Sequence, residues 1–190
     1  MLQLSSRNQL LVAIALAALL AMTRGHHFGS LNLPSASWAV FFLAGVLLTP
    51  RWLFPALFVE ASLLDFGAMQ WSGVSDWCLS PAYWMLVPAY GSLWLAGRLY
   101  VGWHREQLSS LLLLAAVASI AAFVAYLFSG GGFLFFSGGY TDPSLALLIE
   151  RIGVYYPRYL GNLALYVGLA VVLYVGARAA SGVRQQSEVK

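Results

Sequence analysis

The chain has 190 residues, of which 61% are hydrophobic and 9% charged, with a formal net charge of +3. Soluble domains carry about 25% charged residues, so this composition excludes an ordinary soluble fold and indicates an integral membrane protein. The ten basic residues are scattered between apolar runs, which excludes a nucleic-acid surface, and the single cysteine, Cys78, excludes an internal disulfide.

A hydrocarbon core about 30 Å thick takes about 20 apolar residues per helix. With loops, the chain has room for about six crossings and for no appended soluble domain. The apolar runs are continuous and do not alternate, unlike those of a membrane barrel. The prediction is one all-α, polytopic domain over residues 1–190 with six transmembrane helices.

Charge-free runs place the helices. Helix 1 covers residues 8–23, helix 2 covers 34–49, and helix 3 runs from Arg51 to Trp71 with Glu60 and Asp65 inside it. Helix 4 lies within 77–97, where Ser80 suits a helix cap and Pro81 the first helical position. Helix 5 covers 107–128 and the core of helix 6 covers 159–177. Asp142-Pro143 is a second start signal, so a short outer helix precedes helix 6, and Pro157 kinks or separates the two. A rival reading takes residues 1–23 as a signal peptide, with Arg7 before the apolar run.

With the N-terminus inside, Arg7, Arg51, Arg98, Arg105, Arg178, Arg184 and Lys190 are cytoplasmic, and Arg24, Arg151 and Arg158 are outside. Seven against three places both termini in the cytoplasm. The outer loop 24–34, RGHHFGSLNLP, then joins helices 1 and 2, and the outer loop 129–142, SGGGFLFFSGGYTD, joins helices 5 and 6. The glycines make the second loop pliable and its Phe-Leu-Phe-Phe core wants an apolar surface. A lid over an outward pocket and a loop dipping into lipid headgroups fit this equally.

The candidate chemistry gathers at the outer ends. Asp65 is about 21 Å from the cytoplasmic start of helix 3 by a rise of about 1.5 Å per residue. A carboxylate there should face the bundle interior or a wet cavity, either as an acceptor for a ligand or as the partner of Arg151 or Tyr83. Glu60, nearer the midplane, lies on another helix face. Cys78 precedes a helix start, whose partial positive charge favours thiolate, while Asp76 opposes it. One thiolate cannot close a site around a bare metal ion, but it can supply one axial ligand to a metal already held in a macrocycle. A lone cysteine is as readily an inert buried side chain. His26 and His27 can bind metal or donate hydrogen bonds, or be plain interfacial polar residues, and Arg151 can clamp a carboxylate, an amide or a phosphate or equally contact a lipid headgroup. Trp71, Trp77, Trp84, Tyr155 and Tyr156 fit an interfacial belt by default, with an apolar ligand pocket as the alternative for some of them. Ala13, Ala17 and Ala21 share one face of helix 1 and permit close approach of another helix, from this chain or another. No P-loop is present, so the chain cannot by itself power transport with ATP.

Four stretches, GHHFGS around His26, LLDFG around Asp65, SDWCLSPAY around Cys78 and Tyr83, and ERIGVYYPRY around Arg151, carry a resemblance that spans nearly the whole chain. They are similar to the BtuM family of cobalamin transporters in Gram-negative bacteria, within the substrate-binding S-components of energy-coupling-factor transporters. The resemblance implies a six-helix bundle in the bacterial inner membrane with an outward pocket. Cobalamin would be the transported substrate, with Cys78 its axial cobalt ligand and His26, Asp65, Tyr83 and Arg151 the other pocket residues. It implies a helix 1 face, Ala13, Ala17 and Ala21, for docking on a coupling module of a transmembrane subunit and ATPases. Members of the family are often solitary, without a dedicated module. Thiolate donation to cobalt could also promote loss of the upper cyanide from cyanocobalamin, a chemical activity secondary to transport. From the residues themselves, a haem-binding or redox membrane protein, an S-component for another vitamin, and a structural partner in a membrane complex stay open.

Overall fold

The computed structural model describes residues 5–24, 33–72, 80–105, 107 and 109–187. The described residues form six α-helices and no strand: α1 Ser6–Arg24, α2 Ser37–Leu47, α3 Leu53–Ser72, α4 Leu86–Trp103, α5 Ser109–Phe136 and α6 Leu145–Ser187, with a 3-10 turn at Pro81–Met85 leading into α4. Four of them, α1, α3, α5 and α6, are long and apolar enough to cross a membrane. Apolar side chains cover the outside of the bundle: Leu10, Leu63, Leu99, Leu112, Ile149 and Leu173 are all more than half exposed. An apolar exterior over this many helices is the surface a bilayer solvates.

The short helix α2 is the centre. Nine of its eleven residues are buried, including Phe41 and Phe42 at 0% exposure. At about 17 Å it is shorter than a hydrocarbon core. Its ends therefore need partners from the protein, because no water would reach them. At its start the Ala36 N–H donates to the Thr23 hydroxyl (3.2 Å), and that hydroxyl donates to the Leu19 carbonyl (2.7 Å). Beyond its end, Arg98 donates to the carbonyls of Leu48 and Thr49 (3.3 Å each), and the Thr49 N–H donates to the Gln9 side chain (3.1 Å). These bonds also show that α1 and α2 run antiparallel and that α2 and α4 run in the same direction. The ends of α1 and α3, the starts of α2 and α4, and the first half of α6 meet at one end of the bundle, marked by Arg24.

Glycines set the central crossing. A Cβ on Gly45 would strike the Trp94 carbonyl, and one on Gly97 would strike the Phe42 carbonyl. In lipid there is no hydrophobic force between helices, so close backbone approach of this kind supplies much of the association.

The observed elements depart from the expected ones in four places. Helix 2 is Ser37–Leu47, shorter than 34–49, because both flanks are held in irregular form by the bonds above. The start of helix 4 is a 3-10 turn; Pro81 is its first residue as expected, but Ser80 makes no side-chain cap and instead accepts from the Tyr83 N–H through its carbonyl (3.0 Å). The expected loop 129–142 is largely helical: α5 continues to Phe136, and only residues 137–144 connect it to α6. Three consecutive glycines cost helix stability on propensity grounds. Here Gly131 and Gly132 are buried, and a Cβ on Gly132 would lie 2.5 Å from the Met85 side chain, so the missing side chains let α5 lie against the 3-10 turn. The expected break before helix 6 is also absent: α6 is one helix with Pro157 inside it. Neighbouring elements hold it on both sides of the proline. Tyr126 donates to the Arg151 carbonyl and Tyr156 to the Ser119 carbonyl, both at 3.0 Å, and Tyr159 stacks on Trp38 with centroids 4.7 Å apart.

Gly97→Val should abolish the monodisperse peak in detergent size-exclusion chromatography. Gly102→Ala, whose Cβ would meet nothing within 4 Å, should elute and melt as the parent does.

Candidate functional site

The last residue of α1, Arg24, organises the polar end of the bundle. Its Nε donates to Asp65 Oδ1 (2.7 Å) and its Nη2 to Asp65 Oδ2 (2.6 Å), a bidentate ion pair with side chains 12% and 17% exposed. Its Nη1 donates to the Tyr90 hydroxyl (2.6 Å) and to Ser37 Oγ (3.0 Å). The Tyr83 hydroxyl donates to Asp65 Oδ2 (2.9 Å). One guanidinium thus ties α1, α2, α3 and α4 together, and a planar fork is what such a bidentate contact needs. The Tyr90 ring stacks on Phe41 at 4.3 Å, so the network rests on the apolar core.

Both oxygens of Asp65 are engaged by the protein. Of the expected partners, Tyr83 is present and Arg151 forms no bond to it; the cation is Arg24, which sequence reading had counted only for orientation. Glu60 sits half-buried on α3, outside this network.

Arg151 belongs to a second group. Its Nη1 donates to the Tyr140 hydroxyl (2.6 Å), and its guanidinium carbon lies 5.2 Å and 4.8 Å from the ring centroids of Tyr140 and Tyr155. Its Nε is buried with no hydrogen-bond partner among the described residues. Tyr140 lies in the connection 137–144, beside Gly138 with φ of +75°. The part of the expected lid that is not helical is therefore tethered to α6 through Arg151.

Two adjoining cavities open at this end. The larger, about 650 Å³, is lined by Leu33, Pro34, Ser35, Tyr155, Arg158, Tyr159 and Asn162. The smaller, about 220 Å³, shares Ser35, Tyr159 and Asn162 and reaches Arg24, Ser37 and Tyr90. The wall of the larger cavity is fixed where the Tyr166 hydroxyl donates to the Pro34 carbonyl (2.6 Å). Tyr155 is one of the aromatics for which both a belt and a pocket role are open; Arg158, Tyr159 and Asn162 are not among the expected pocket residues, although their spacing puts all four on one face of a helix.

His26, His27, Asp76, Trp77 and Cys78 lie outside the described residues. Among the described residues no three His, Cys, Asp or Glu side chains gather into a metal site. Ala13, Ala17 and Ala21 are half-buried, and the first two pack against this chain's own core. Comparison of the chain with family models and with curated proteins gives no match.

Removing one partner of a buried ion pair leaves an uncompensated charge, worth about 3–5 kcal/mol. Asp65→Ala should lower thermal stability in detergent accordingly, and Asp65→Ala with Arg24→Met should recover part of the loss. Tyr140→Ala should speed protease cleavage within 137–144, and Tyr140→Phe, which keeps the ring over Arg151, should do so less.

Proposed function

We propose that the chain is a cobalamin transporter of the BtuM type, which captures the vitamin at the outer face of a bacterial inner membrane and moves it inward. The observation that carries this reading is the pair of adjoining cavities at the Arg24 end. A cavity of about 650 Å³ is within the range of ordinary ligand sites, about 300–1,000 Å³, so a corrinoid would seat one edge in it and stand above it. The Arg24 end is the outer end by the distribution of basic residues, with six crossings and both termini in the cytoplasm. In sequence, His26 stands between Arg24 and Leu33, which lines the larger cavity, and Cys78 stands five residues before Tyr83.

The roles divide as follows. Cys78 supplies the axial cobalt ligand, since the corrin already fills the four equatorial positions. His26 addresses the opposite face of the cobalt or the corrin edge. Arg151 offers hydrogen bonds to the amide-rich edge once Tyr140 gives way, and its Nε, which has no partner among the described residues, is available for one of them. Asp65 and Tyr83 hold the pocket's floor through Arg24. In cyanocobalamin the thiolate lone pair forms a cobalt–sulfur bond, cyanide departs with the electron pair of the cobalt–carbon bond, and the cobalt keeps its oxidation state. A coupling module with ATPases would dock along α1 near Ala13, Ala17 and Ala21.

Two measurements test the reading. The protein purified in detergent should bind cobalamin, and its spectrum with cyanocobalamin should lose the cyanide-bound form; Cys78→Ala should retain that form. In a strain that depends on external cobalamin, the parent should rescue growth and Cys78→Ser should fail while still reaching the membrane. A haem in the purified protein, or the absence of any bound corrinoid after titration, would sink the proposal.

A further inference from the structure

We propose that the larger cavity is a phosphodiester site, in which Arg158 neutralises the phosphate and Ser35 and Asn162 hydrogen-bond its oxygens. Three cations sit toward this end of the bundle, and their commitments differ. Arg24 is consumed by Asp65 and Arg151 is held by Tyr140 and Tyr155. Arg158 lines the cavity and makes no hydrogen bond or ion pair among the described residues. Among the described residues no acidic side chain lines either cavity, and Arg158 brings positive charge to the larger one.

The shape of the site selects the anion. The guanidinium fork matches phosphate oxygens, and charge-assisted bonds of this kind are the strong ones. Asn162 stands one helical turn beyond Arg158 on the same face, and Ser35 lines the cavity from the segment before α2. The wall itself is rigid, because Tyr166 pins Pro34 and Trp38 stacks on Tyr159. Tyr155 and Tyr159 add aromatic surface for a planar group attached to the phosphate.

A phosphodiester has two sources here. One is the nucleotide arm of a corrinoid, whose linking phosphate is the anion among otherwise neutral amide side chains; this source rests on the proposed function. The other is a phospholipid headgroup, and this source does not.

The test uses full-length protein and Arg158→Gln in detergent, titrated with cobalamin and with cobinamide, the corrinoid that lacks the phosphodiester. Native mass spectrometry of both proteins with added phosphatidylglycerol forms the second arm. For the nucleotide arm, Arg158→Gln should weaken cobalamin binding about 10- to 100-fold and leave cobinamide unchanged. For the headgroup, both corrinoid affinities stay put and the variant loses a phosphatidylglycerol that the parent retains. Equal weakening of both corrinoids, or no change in either arm, overturns the site. If neither protein binds any corrinoid, the cobalamin reading falls and the lipid arm alone decides: retention that depends on Arg158 upholds the phosphodiester site, and retention indifferent to it removes it.

Discussion

An ionised arginine and an ionised aspartate, each largely shielded from water, have to neutralise one another inside the protein. At exposures of 12% and 17%, Arg24 and Asp65 do so through two parallel bonds of 2.7 and 2.6 Å. Such a pair contributes little net stability against well-packed apolar residues, but breaking it is costly. Its value here is geometric. The guanidinium has N–H groups to spare, and they fix Ser37 and Tyr90 while Asp65 fixes Tyr83. Four segments of chain, otherwise free to slide against one another as apolar rods, acquire one register at that end.

The other end of the bundle uses the same device without an ion pair. Arg98 closes the carbonyls beyond α2, and Gln9 takes the Thr49 N–H. A helix of eleven residues can stand at the middle of a membrane bundle only because both its ends are satisfied in this way. Between the two ends, Gly45 and Gly97 bring α2 and α4 into backbone contact. The cavities lie beside this tight centre, between the segment leading into α2 and the first half of α6.

The candidate site was legible in part. Asp65 was expected to need a partner because a carboxylate within an apolar helix always does, and Tyr83 was one of those named. Arg24 was missed because a basic residue at a helix end also reads as a topology signal; one charge cannot reveal from sequence which of the two roles it has. Arg151 reads in sequence as a ligand clamp or a headgroup contact, and its bond to Tyr140 joins α6 to the connection before it, a contact that no periodicity announces. The glycine run at 130–132 reads as a loop by propensity, yet it is helix, with Met85 packed where a Gly132 side chain would be and Tyr126 where a Gly130 side chain would be.

The sequence by itself determined that this chain is built of apolar helices, several of them long enough to cross a membrane, because 61% of its residues are hydrophobic and fall in charge-free runs. It also determined which polar residues have to be accounted for, since there are so few. Only the tertiary structure decided which arginine meets Asp65, that α5 keeps its helix to Phe136, that Pro157 does not break α6, and that Arg158 is left facing a cavity. Hydropathy is a property of each segment and survives in one dimension. Pairing, close approach and void space depend on which helices are neighbours, and that is set only when all of them pack at once.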